Sequence, residues 1–153
     1  MLRMKQPLDL VVIQGKFIYL AGSMGKVDWQ SEVYKKLVMK SLSSEWTVLN
    51  PRPDQKALEV KAYASWEYNC VIASDIIGFW FAAKDRPDMG LFDLGRWSVY
   101  EKPMIVGIEK GYAFEERIKC DLAVSCPELT VLKSIEAVAD AIAVKAKEID
   151  RGA

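Results

Sequence analysis

The stretch "DIIGFWF", Asp75 to Phe81, constrains the fold more than any other part of the chain. Past its leading acid it is apolar throughout, which suits a central strand of a parallel sheet covered on both faces. Interrupted at Asp75, the apolar run falls far short of the ~20 residues that cross a bilayer, so a soluble protein is expected. Such a strand needs helices on both sides of its sheet, and the rest of the sequence supplies candidates.

Strand and helix patterns alternate along the chain without repeats or low-complexity tracts. "KFIYLAG", Lys16 to Gly22, is a β-rich run that stops at a glycine turn. Asp28 stands where it would cap a helix with Trp29, Val33 and Leu37 on one face. "WTVLNPRPD" is a short strand ended by Pro51 and Pro53. From Glu59 to Ser74, the spacing of Trp66, Cys70 and Ala73 predicts an amphipathic helix. A further helix is predicted from Gly90 to Tyr100, followed by "KPMIVGI" as a fourth strand and "LTVLK", Leu129 to Lys133, as a fifth. Cys120 and Cys126 are placed in the segment leading into that fifth strand. The tail from Ser134 to Ile149 reads as a helix with Ile135, Val138, Ile142, Ala146 and Ile149 facing inward. Alternation of this kind implies an α/β domain with a parallel sheet between two helix layers. It covers residues 16–153. Residues 1–15, with "PLDLVVIQ", form either an extra strand beside Lys16–Gly22 or an arm on a partner subunit.

Composition then removes whole classes of chemistry. Lys plus Arg (21) balances Asp plus Glu (21), so no global field draws the chain to nucleic acid or an anionic membrane. Histidine is absent, which excludes Ser-His-Asp and Cys-His nucleophile systems and His-ligated zinc. Three cysteines form no CxxC pair and leave one over, as in a reducing, cytoplasmic compartment with buried thiols. No apolar leader follows the basic start, so no signal peptide is expected. Catalysis here falls to carboxylates, tyrosine, lysine or a cofactor.

In an open parallel sheet, ligands sit outside the carboxyl ends of the strands, near the switch point of strand order. The segments leaving those ends are Gly22 to Asp28, Asn50 to Asp54 and Ala82 to Asp93. "AGSMGKVD" lacks the spacing of a Walker A loop and of a dinucleotide fingerprint. It is either a simple tight turn or a holder for a sugar hydroxyl or a single phosphate. In "DRPDMGLFDLGRW", Asp88 and Asp93 bracket Gly90. Asp88 is either a plain helix cap or part of a site. Asp93, one turn into its helix, is expected to gain from the helix dipole and stay ionised. Glu67 lies about 100° round the helix from the Trp66–Cys70 line, at the border of core and water. Asp75 reads as structural. Trp29, Trp66, Trp80 and Trp97 either pack the core or stack on a base. An ionised carboxylate beside a neutral, proton-donating one is the arrangement for breaking a glycosidic bond.

"IYLAGSM", "NPRPD", "SWEYNCVIASDIIGFWF", "DMGLFDLGRW" and "KPMIVGI" follow in order from Phe17 to Gly107. As a series they resemble the nucleoside 2-deoxyribosyltransferase family, in particular its transferase-like branch. The resemblance implies a flavodoxin-like three-layer sandwich with a five-stranded parallel sheet. It implies cleavage of the bond between nucleobase and 2-deoxyribose, the sugar being held on an enzyme carboxylate and passed to another base or to water. No metal or organic cofactor is implied. By the same resemblance Asp93 falls on the nucleophile, usually Glu in the family, and Tyr19 on the tyrosine whose hydroxyl holds it. Asp88 falls on the acid that handles the proton of the departing base, and Glu67 on a carboxylate that contacts base or sugar. Substrate-binding positions are expected at Gly22, Ser23, Met24, Gly25, Asn50, Arg52 and Gly90. A homodimer or higher homo-oligomer, with sites completed across subunits, is also implied.

The departure from the family lies at Asp93, which is one methylene shorter than Glu and withdraws its carboxylate by roughly 1.5 Å. A misplacement of ~1 Å can cost on the order of a hundredfold in rate. The backbone advances and a covalent mechanism survives, or water enters and hydrolysis results, or the site binds a nucleoside without turnover. An acid at position 88 would repel a 5′-phosphate, whereas Lys26 would attract one.

Overall fold

The computed structural model describes residues 1–7, 14–53 and 59–152. Its strands are β1 (Arg3–Lys5), β2 (Lys16–Gly22), β3 (Trp46–Leu49), β4 (Ile76–Phe81) and β5 (Met104–Ile108). The helices are α1 (Trp29–Met39), α2 (Val60–Ala73), α3 (Met89–Trp97), α4 (Glu115–Ser125) and α5 (Ile135–Gly152). All strand pairs are parallel and the order is β1-β3-β2-β4-β5. The α/β sandwich expected from the alternating pattern is therefore present. Its strand order reverses at β2, because the chain moves to β3 on one side and returns to β4 on the other. Ligand crevices form outside the strand ends at such a point.

Strand alternation divides the core into two faces. On one, Ile18, Leu20, Ile76 and Trp80 pack with Trp29, Val33 and Leu37 of α1 and Val138, Ile142 and Ala146 of α5. On the other, Phe17, Tyr19, Ile77, Phe79 and Phe81 meet Cys70 and Val71 of α2, Leu94 and Trp97 of α3, and Ile118 and Leu122 of α4. Every residue of β4 is buried, as its unbroken apolar run requires. Asp75, just before that strand, accepts from the Phe17 N–H at 2.7 Å and ties the starts of β2 and β4 together.

Two parts of the sequence fold differently from expectation. Leu129–Lys133 does not form a strand; only a single bridge joins Leu132 to Gly107 at the edge of β5. The fifth strand is instead β1, three residues at the outer side of β3, whose charged side chains protect a sheet edge. Both flanks of β2 are occupied by β3 and β4. Residues 8–13, which carry most of the proposed N-terminal strand or arm, lie outside the described residues. Cys120 and Cys126 do lie in the segment leading into Leu129–Lys133, and that segment is the helix α4 with Cys126 at its end. All three cysteines are free thiols.

Candidate active site

β2 ends at Gly22, whose φ of +107° and lack of side chain let the chain turn against the Trp80 carbonyl. A Cβ there would lie 2.4 Å from that oxygen. α3 starts directly above this turn. A Cβ on Gly90 would sit 2.6 Å from the Gly22 carbonyl carbon, so only glycine lets the first turn of α3 rest on the end of β2. Asp88 caps the helix, its carboxylate accepting from the Gly90 N–H at 2.9 Å and from the Met24 N–H at 3.3 Å. It thus joins the loop after β2 to the start of α3.

Between these elements and α2 lies a cavity of about 650 Å³. Ala21, Gly22 and Met24 form its floor, Pro51 and Pro53 one end, and Asp88, Met89, Gly90 and Asp93 the α3 wall. The opposite wall is a stripe of α2, namely Val60, Tyr63, Ala64 and Glu67. Their spacing of three, four and seven places them on one helical face. Among the described residues the lining carries three acids and no Lys or Arg.

The acids meet at one end. Glu67, half-buried, accepts a hydrogen bond from the hydroxyl of fully buried Tyr19 at 2.9 Å. Asp93, only 7% exposed, hydrogen-bonds with Glu67 from the facing wall. Burial first, and then the charge of Glu67 beside it, push the Asp93 carboxyl up to about 7. Arg96 opposes this weakly, its guanidinium being spread over the rings of Trp97, Tyr68 and Phe92 at 4.6, 5.0 and 5.7 Å. The expectation that the helix dipole keeps Asp93 ionised is overturned. The residue lies past the turn where the dipole acts, in a nearly dry site beside a second acid. Burial and the neighbouring Glu67 also hold the Tyr19 phenol well above its usual range, so it stays a donor. Its hydrogen bond goes to Glu67 rather than to Asp93, which corrects the expected pairing.

The remaining predicted binding positions divide cleanly. Gly22, Met24 and Gly90 line the cavity, with Asp88 at its rim. Ser23, Gly25, Asn50 and Arg52 are absent from the lining and build the loop behind it. The Ser23 hydroxyl accepts from the Ala82 N–H at 3.1 Å. Asn50 is buried and accepts from the Arg52 N–H at 3.0 Å. Arg52 donates to Gln30 Oε1, to the Gly25 carbonyl and to the Val27 carbonyl at 2.7, 2.9 and 2.5 Å, and pairs with Asp28. A Cβ on Gly25 would meet the Asp85 carboxylate, which would have to swing aside. None of Trp29, Trp66, Trp80 and Trp97 lines the cavity, and all but half-buried Trp66 are sunk in the core.

Tyr63 escaped the sequence reading. It lies four residues before Glu67 on the same helical face, and its hydroxyl donates to the Pro51 carbonyl at 3.0 Å. That spacing was the available signal. Among the described residues no cluster of three or more His, Cys, Asp or Glu side chains is arranged to hold a metal ion. No helix among them is long and apolar enough to cross a membrane.

A parallel α/β sheet thus carries paired carboxyls beside an apolar cavity at its switch point, the place where this architecture takes small ligands. The chain belongs to the family described as nucleoside 2-deoxyribosyltransferase like, whose model matches residues 15–112. No curated protein matches the sequence significantly. In structure it is similar to a conserved protein from Enterococcus faecalis V583, known from a crystal structure. The TM-score is 0.52 at 16% identity, covering 82% of this chain and 96% of the other, a likeness of fold alone.

Proposed function

We propose that this protein cleaves the N-glycosidic bond of 2′-deoxynucleosides and transfers the deoxyribosyl group to another nucleobase through a glycosyl ester on an enzyme carboxylate. The observation that carries the reading is the Glu67–Asp93 carboxyl pair, with Tyr19 beneath it, at one end of the cavity. A carboxylate kept ionised by a neutral carboxyl partner, with a third acid at the rim, supplies the nucleophile and the proton donor that retaining glycosidic cleavage uses. The apolar walls from Val60, Ala64, Met89 and the two prolines suit a flat base, and the acid rim suits sugar hydroxyls. Family membership supports the same class. Asp88 is the candidate for the proton of the departing base, since it stands at the rim within the same cavity. A second copy of the chain is proposed to cover the open mouth, and free thiols fit a cytoplasmic setting.

Incubation with each 2′-deoxynucleoside, with and without a second free base, tests the reading by chromatography. A new nucleoside formed only in the presence of the second base is the expected result. Free base alone would make the protein an N-glycoside hydrolase. No change in any substrate would reduce it to a nucleoside-binding module.

A further inference from the structure

We propose that Glu67, on α2, is the nucleophile that carries the deoxyribosyl group, and that Asp93 is its protonated, hydrogen-bonded partner. This inference rests on the glycosidic reading above and assigns the covalent role within that site.

The first argument is the direction of hydrogen bonds. A buried phenol has one proton to give, and Tyr19 gives it to Glu67 at 2.9 Å. A donor aimed at a carboxylate stabilises its ionised form. Two carboxyls in hydrogen-bond contact share a proton, and it rests on the one without that donor. The second argument is burial. Asp93 is sunk in the wall of α3, while Glu67 is more exposed and projects into the cavity from α2. The drier carboxyl is the one that stays neutral. The third is reach. Glutamate is one methylene longer, so the extension that Asp lacks at position 93 is supplied from the opposite wall. The charged and titratable groups around Glu67 are Tyr19 of β2, Tyr63 and Cys70 of its own helix, and Asp93 of α3. Behind Asp93 stand Arg96 and Asp88. None of those touching Glu67 is a cation.

In the forward step a lone pair of the Glu67 carboxylate forms a bond to C1′ as the C1′–N bond breaks. Asp88 enters this step in its acid form, protonated from solvent, and gives that proton to the base as the electrons of the bond leave with it. Glu67 is then a neutral ester, and part of what holds the proton on Asp93 disappears. In the return step the nitrogen of the incoming base attacks C1′, its proton passes to Asp88, and Glu67 leaves as a carboxylate. The proton on Asp93 is not consumed.

The test is to trap the intermediate on the wild-type protein with a 2′-deoxy-2′-fluoroarabinonucleoside, whose fluorine slows breakdown of the glycosyl ester. Peptide mass spectrometry then locates the sugar. The expected result is one sugar per chain on Glu67, with equimolar release of base. A sugar on Asp93, or release of base with no adduct, overturns the assignment while leaving the glycosidic activity intact. If no unmodified 2′-deoxynucleoside is cleaved at all, the proposed function falls and this inference with it. A second readout does not need turnover. Carboxyl ¹³C spectra of the ligand-free protein should show Asp93 holding its proton to near neutral pH. Replacing Tyr19 by Phe removes the donor to Glu67 and should slow formation of the Glu67 adduct more than it lowers stability. An Asp93 carboxyl already ionised well below neutral pH, or an adduct formed as fast without the phenol, contradicts the assignment.

Discussion

Asp93 is held where its neutral form is favoured, and the cost of ionising it appears in the stability of the whole chain. Its carboxyl moves from an ordinary 3.8 to about 7 on folding. Between those values the folded protein binds a proton that the unfolded chain releases. The stability this contributes is complete below pH 4 and is lost as pH rises through 7. The size is on the order of 2 kcal/mol once solvent screening is allowed for. Asp93→Asn removes the titration. Urea midpoints of the two proteins should therefore diverge with pH, the wild type losing ground to the variant from pH 4 to pH 8. Parallel curves would mean that Asp93 is already ionised in the folded state. This residue also shows where sequence reasoning stops. The spacing of Asp88, Gly90 and Asp93 was visible, and so was Glu67 at a helix border. The contact of Glu67 with both Tyr19 and Asp93 depends on two helices closing over the end of β2, which no local pattern encodes.

At the scale of elements, the site depends on α3 resting on the last residue of β2. Gly90→Ala would force a Cβ against the Gly22 carbonyl, with backbone on both sides and no flexible side chain to yield. Overpacking of this kind costs ~1–3 kcal/mol. Thermal unfolding should report that loss, and turnover should fall further than stability does because Asp88 and Asp93 move with the helix. Unchanged melting would show that α3 is free to slide. Sequence made β2, β3, β4 and β5 legible through their short apolar runs, and α1, α2, α3 and α5 through helical spacing or their place after a strand. α1 is capped by Asp28, whose side chain accepts from the Ser31 N–H at 3.1 Å. α4 was hidden because only Ile118 and Leu122 are buried among its eleven residues and no side chain caps its start. Its best cue was the charge pairing of Glu115 with Lys119 and Arg117 with Asp121, each four residues apart. Leu129–Lys133 has strand composition, yet makes one bridge, while three residues at the N-terminus complete the sheet. Composition favours a strand without naming its neighbour.

For the whole molecule, several exposed apolar side chains lie at and beside the cavity. Val60 and Met89 line it and are 82% and 64% exposed, and Phe92 and Tyr68 continue the patch along α3 and α2. Apolar surface rimmed by polar residues marks an interaction face. Sedimentation analysis should find a homodimer or larger assembly, and Phe92→Glu should shift it toward monomer. A monomer at high concentration for the wild type would contradict that picture. The account as a whole turns on whether C1′ of a deoxynucleoside reaches the carboxyl pair. Isotope exchange tests this most directly: each 2′-deoxynucleoside is incubated with its own radiolabelled free base, and label is followed into the nucleoside. The account predicts incorporation by the wild type and its loss in Glu67→Gln. Release of no base and entry of no label, for any of the common bases, would contradict it.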